Sequence, residues 1–211
     1  MTKRKKISLL LAFSFLFTII FSMSASAEEM FDGYHIRWSV KASNNLYYQI
    51  KMNGDLLTSD SVYKNNISTA ASNWSASPTK GYVTVASFTT SNVDLATPSQ
   101  SWWDSHVNDV GTAAITAITY NGKQIFKASD LGNSRNVQIS YANIYINPFT
   151  AYAVSSNESK QTNILMHELG HVYGMGHTPT NNNTLMFNYA TTITQLTSYD
   201  ISVMSSFYGA L

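Results

Sequence analysis

Apolar and polar residues alternate at the first patterned stretch of the chain, Ile36, Trp38 and Val40 against His35, Arg37 and Ser39, which is the period of two of a half-buried strand. The period then lengthens. Behind the capping pair Ser59-Asp60, the residues Tyr63, Ile67, Ala70, Ala71 and Trp74 recur at helical spacing, and Pro78 with Gly81 ends the helix they predict. Residues 82–88 are rich in β-formers, and residues 113–120 and 124–127 flank Asn121-Gly122, a dipeptide that predicts a two-residue hairpin. Residues 137–146 read as one further strand. Residues 91–111, with Trp102-Trp103 and His106, show no clear period and are expected to form a surface loop packed by its tryptophans. A second helix follows, with Ser155 and Glu158 at capping-box spacing and a buried stripe of Ile164, Leu165, Leu169 and Val172.

Composition changes this picture at three points. The 211 residues, 44% hydrophobic and 13% aromatic, suffice for one core and leave little room for two domains. Only 12% of residues are charged, about half the usual share for a soluble domain, yet 13 Tyr and 10 Phe argue against disorder. The absence of cysteine excludes disulfides, thiolate metal sites, iron–sulfur clusters and cysteine nucleophiles. At the start of the chain, Lys3 to Lys6 form a basic cluster, Ile7 to Met23 an apolar run too short for a span of about 20 residues, and Ala25-Ser26-Ala27 a small-residue cleavage site. Residues 1–27 therefore read as a secretory signal, and residues 28–211 as one extracellular domain. The first strand begins within ten residues of the cut, so no prodomain is expected. Without the four basic residues of the leader, 9 basic residues face 12 acidic ones. That balance points to neither nucleic acid nor membrane as partner, and a monomer is expected.

The candidate chemistry lies in the last quarter. His167 and His171 stand four residues apart on the predicted helix, so their imidazoles project from one face roughly 5–6 Å apart and can meet one metal ion. Glu168 is rotated by about 100° from His167, a position that suits a base better than a ligand. Gly170 permits close packing on the helix, Gly174 can take the left-handed conformation that ends it, and the chain turns back to deliver His177. Three neutral imidazoles suit Zn²⁺ and leave its fourth position to water, which is the arrangement of a catalytic site. Glu168 would then take the water's proton and pass it to a leaving amine. A core helix with two histidines by coincidence explains His167 and His171 but not the extended string.

That string, His167-Glu168-Leu169-Gly170-His171-Val172-Tyr173-Gly174-Met175-Gly176-His177, resembles the signature of the metzincin zinc proteases. Thr184-Leu185-Met186-Phe187 is similar to their Met-turn. A last helix opens at Leu196-Thr197-Ser198-Tyr199-Asp200, with Ile201, Met204, Phe207, Tyr208 and Leu211 on its buried side, and its end Phe207-Tyr208-Gly209 resembles the matrixin branch. The resemblance implies an α+β metzincin-like zincin: a twisted mixed β-sheet on two long helices, with a small C-terminal subdomain from about Gly174 that carries the Met-turn and last helix. It implies His167, His171 and His177 as ligands of one catalytic Zn²⁺, Glu168 as general base and Met186 as the apolar floor beneath the metal. Asp200 is implied to tie the last helix to the Met-turn, and Ala142-Asn143-Ile144-Tyr145-Ile146 to be the edge strand that pairs with an extended peptide or protein substrate.

Departures from the family pattern limit what can be carried over. Matrixins commonly continue the Met-turn with Tyr-Pro, whereas Phe187-Asn188-Tyr189 stands here, so substrate preference cannot be borrowed. Vertebrate members hold a prodomain cysteine on the zinc, and this chain has neither. Residues 138–160 contain Glu158 as their one acidic residue and no histidine, so a second zinc or calcium is not expected. His35 and His106 are expected to be solvated or hydrogen-bonded, and Tyr189 stands one residue further from the Met-turn than the tyrosine of the astacin and serralysin branches. The expected activity is secreted, zinc-dependent endopeptidase. The alternatives are a secreted binding module on the same scaffold and a zinc amidase acting on cell-wall peptides.

Overall fold

The computed structural model describes residues 35–58, 61–107, 111–134, 136–149, 157–178 and 180–211. The leader, the Ser59-Asp60 cap and Ser155 lie outside them. Strand β1 (His35–Trp38) alternates as its sequence requires, with Ile36 and Trp38 in the core. It pairs in parallel with β7 (Asn136–Ile139) as a separate two-stranded sheet.

The main sheet has six strands: β2 (Tyr48–Leu56), β3 (Gly81–Val85), β4 (Val93–Ala96), β5 (Ala114–Tyr120), β6 (Lys123–Ile125) and β8 (Ala142–Ile146), in the order β3-β2-β4-β8-β5-β6. The first four in that order run parallel, β5 runs antiparallel to β8, and β6 folds back on β5. The hairpin between β5 and β6 turns on Asn121 (φ 50°) and Gly122 (φ 74°), both left-handed, as a tight turn of primed type demands.

Three stretches differ from their sequence reading. Residues 137–146 are two strands in two sheets, not one. Val137 and Ile139 alternate with exposed neighbours, whereas Ala142, Asn143 and Ile144 are buried in succession, the pattern of a strand covered on both faces. Residues 91–111 are not a loop throughout: they hold β4, whose four residues are too few and too buried to show a period, and helix α2 (Gln100–His106), capped by the Ser99 side chain on the Trp102 N–H. The long strand β2 went unmarked in sequence because Asn53-Gly54-Asp55 interrupts its apolar positions. Asn53 bends the strand there, accepting from the Asp55 N–H at 2.9 Å and donating to the Ala86 carbonyl at 3.0 Å.

Two helices carry the core against the sheet. A 3₁₀ turn, Val62–Asn66, leads into α1 (Ile67–Ser75), and the five residues that predicted this helix, Tyr63, Ile67, Ala70, Ala71 and Trp74, are all buried. Helix α3 (Glu158–Val172) lies beside it, its N-cap Asn157 accepting from the Lys160 N–H. Trp74 stacks on Tyr173, just past the end of α3, with centroids 5.2 Å apart. Helix α4 (Ser198–Tyr208) closes the chain behind a capping box made by Thr197 and Asp200. Among the described residues no helix is long and apolar enough to cross a membrane.

The buried Tyr208 hydroxyl locks α4 to the rest, accepting from the Trp38 N–H at 2.8 Å and donating to the Tyr173 carbonyl at 2.7 Å. Replacement Tyr208→Phe strands two buried backbone groups at once and is expected to lower unfolding stability by about 1–3 kcal/mol in denaturant titrations. An unchanged midpoint would show that α4 is held by packing alone.

Candidate active site

Helix α3 sets the site by its periodicity. His167 and His171 rise from one face one turn apart, their rings edge to face at 4.7 Å between centroids. The helix ends where Gly174 adopts φ 87°, and the Met175 N–H closes back on the Gly170 carbonyl at 2.9 Å. That reversal brings His177 over the helix face, with its Nε2 3.1 Å from Nε2 of His167 and 3.2 Å from Nε2 of His171.

The protonation of these rings follows from their other nitrogens. Nδ1 of His167 lies 2.9 Å from the Leu185 carbonyl, and Nδ1 of His171 lies 2.8 Å from the Met175 carbonyl. A carbonyl accepts only, so each Nδ1 carries the hydrogen and each Nε2 presents a lone pair to the common centre. Burial opposes a positive charge on all three rings, and the neighbouring histidines add to it at His167 and His171: the pKa of His167 is pushed down to about 4, and those of His171 and His177 also fall. A neutral imidazole has one N–H, so His177 can donate to at most one of its two neighbours. A cation at the centre satisfies all three lone pairs, and the spacings approach the roughly 3.3 Å edge of a tetrahedron with bonds of 2.0–2.1 Å. The donor set thus fits Zn²⁺. Among the described residues, this is the one group of three or more His, Asp or Glu side chains that could hold a metal.

Glu168 stands beside the cluster, 5% exposed, with Oε2 accepting from the Thr116 hydroxyl at 2.7 Å. Burial lifts its carboxyl to about 7, against the opposing pull of that hydroxyl. Beneath the helix the Met186 side chain is buried against Gly170, where any Cβ would run into its sulfur. A hydrogen-bonded relay extends from this floor. Asp200 Oδ2 accepts from the Leu185 N–H at 3.0 Å, the Leu185 carbonyl holds His167, and the Thr178 N–H reaches the Met186 carbonyl at 2.8 Å. The last helix therefore orients a ring nitrogen through one residue of the turn, as outer-shell partners of metal ligands do.

The sequence profile of the Matrixin family matches residues 37–209. The chain belongs to the matrixin family. No curated relative matches it. Membership places the chain among the zinc metalloproteases, and the His167/His171/His177 cluster fits the family's zinc-binding motif. The mixed sheet and four α-helices agree with the matrixin fold.

One residue assignment carried over from matrixins is corrected. Strand β8, Ala142–Ile146, is not the sheet edge but lies between β4 and β5. The edge facing the site is β5. Strand β6 covers it only over residues 118–120, so the half nearer Ala114 is left uncovered by any described strand. The Asn147 N–H to Ala113 and the Thr119 N–H to Tyr141 bonds point odd-numbered residues of β5 at β8. Antiparallel alternation then turns the N–H and C=O groups of Ala114 and Thr116 outward.

A cleft of about 620 Å³ runs along this edge, with residues 111–116 on one wall, Asn163, Ile164, His167, Glu168 and His171 as floor, and residues 187–190 on the other wall. Asn163 bolts the second wall to α3, accepting from the Thr191 N–H at 2.9 Å and donating to the Ile193 carbonyl at 2.7 Å. Tyr189 lines that wall, 69% exposed, with its ring edge-on to Phe187. His106, exposed and stacked on Trp102, and His35, on the outer face of β1, are both outside the cluster. Thr116 and Asn163 went unremarked in sequence. Neither belongs to a motif, and their partners lie 52 and about 30 residues away.

Proposed function

We propose that this matrixin is a secreted endopeptidase with one catalytic Zn²⁺ held by His167, His171 and His177, and with Glu168 as its general base. The observation that carries the reading is the convergence of three imidazole Nε2 atoms beside a buried carboxylate at the floor of a cleft with one free strand edge. A zinc ion at that point supplies Lewis acidity toward a substrate carbonyl and lowers the pKa of water.

The chain's own groups do the rest. An extended peptide adds to the sheet along β5, exchanging backbone hydrogen bonds with Ala114 and Thr116 and so laying its scissile carbonyl over the cluster. Phe187 and Tyr189 face it across the cleft and shape the pocket for one side chain. Glu168 accepts a proton from the attacking water and returns it to the departing amine nitrogen, work for which a carboxyl lifted toward neutrality is suited. The basic cluster and apolar run of residues 1–27 support export.

Incubation with an unbiased peptide library, with and without a zinc chelator, tests this reading. Cleavage of internal peptide bonds that stops on chelation and returns with added Zn²⁺ is the expected result. Cleavage confined to cell-wall peptides would favour an amidase. Peptide binding without cleavage would favour a recognition module.

A further inference from the structure

Thr116 is the point where the strand edge and the carboxylate meet. Its backbone belongs to the open half of β5, with N–H and C=O turned outward along the sheet plane, while its side chain stands off that plane and meets α3. The hydroxyl lies 2.7 Å from Glu168 Oε2 and 3.2 Å from the Glu168 carbonyl oxygen, and both residues are buried. A hydroxyl has one hydrogen, and the shorter contact to the carboxylate takes it. With Oε2 engaged, rotation of the carboxylate costs that bond, and Oε1 is left as the oxygen free to work.

We infer that Thr116 is a positioning residue of this chain, coupling the docking of a substrate strand to the orientation of Glu168. The inference rests on the peptidase reading and deepens it. A peptide that pairs with the Thr116 backbone pulls on the strand whose side chain holds the base, so register errors in the substrate are transmitted to the proton acceptor. A peptide in the right register meets a carboxylate already turned toward it. Preorganisation of this kind acts on turnover, because the backbone groups that bind the peptide survive replacement of the side chain.

The test compares Thr116→Ser with Thr116→Ala in the zinc-loaded full-length protein. Both lose the γ-methyl, so any packing defect is shared, and only the serine retains a donor. With a peptide from the library screen, the serine variant is expected within about threefold of the parent, and the alanine variant at least about tenfold lower in kcat with KM within about twofold.

A readout independent of turnover is the affinity for acetohydroxamic acid, a small chelator whose hydroxyl proton needs an adjacent acceptor. It should weaken about tenfold in the alanine variant and stay near the parent value in the serine variant, with equal zinc content in all three proteins. Equal kcat and equal hydroxamate affinity in the two variants would overturn the role of Thr116 and leave the peptidase reading standing. A parent protein that binds zinc yet cleaves no peptide would overturn that reading, and this inference with it.

Discussion

Replacing Glu168 by alanine is expected to reduce peptide turnover by at least about 10²–10⁴ while zinc content stays near one per chain, because the substitution removes the proton acceptor and no ligand. The fold should survive. Glu168 is not hydrogen-bonded into the relay that holds the rings: His167 is fixed by Leu185 and His171 by Met175. Its loss frees the Thr116 hydroxyl, which can still donate to the Glu168 main-chain carbonyl 3.2 Å away.

His177→Ala should fail in another way. It takes away the ligand contributed from beyond the helix, so zinc affinity and activity fall together, and residues 174–186 loosen because no metal ties them to α3. Zinc content, thermal midpoint and cleavage rate on both variants separate holding the metal from using it. A Glu168→Ala protein that cleaves at the parent rate would refute the assignment of the base even with the zinc in place.

The parts of this site that were legible in the sequence are the parts written locally. The spacing of His167 and His171, the intervening Glu168 and the glycine that reverses the chain toward His177 occupy eleven consecutive residues, so helix geometry and one local chain reversal bring them together. Met186 and Asp200 could be assigned through the family resemblance, and the Leu185 N–H to Asp200 bond shows the tie it implied.

What could not be read is which strands become neighbours. Residues 113–120 and 142–146 are both rich in β-formers, and nothing in either fixes the order β4-β8-β5, so the open edge was assigned to the wrong one of the pair. The Asn121-Gly122 hairpin was legible. Strand β6, however, stops after three residues at Ile125, opposite Ile118, and leaves the half of β5 that faces the cleft open. Strand β4 escaped notice for a related reason. Four residues buried in the interior of a sheet show neither alternation nor length.

Gly174 ties the fold to the site, and Gly174→Ala is expected to be strongly destabilising. Two effects combine. The residue sits at φ 87°, a conformation that disfavours a side chain by about 1–2 kcal/mol. In addition, a Cβ there would run into the Ile36 carbonyl oxygen and stand 2.9 Å from its carbonyl carbon. Ile36 belongs to β1, in register with Val137 of β7, so the obstacle is backbone fixed by a ladder and not a side chain that can rotate away.

Either β1 moves or the end of α3 unwinds, and the second outcome displaces the Met175 carbonyl that holds His171 and the turn that delivers His177. Gly122→Ala provides the control. It has φ 74° but open space around it, so it carries the conformational cost alone. In parallel urea titrations Gly122→Ala is expected to lose about 1–2 kcal/mol and Gly174→Ala more than about 3 kcal/mol, with zinc affinity reduced only in the latter. Equal losses in the two variants would mean that β1 yields freely, and that the reversal after α3 is held by the metal rather than by the packing of Gly174 against the strand.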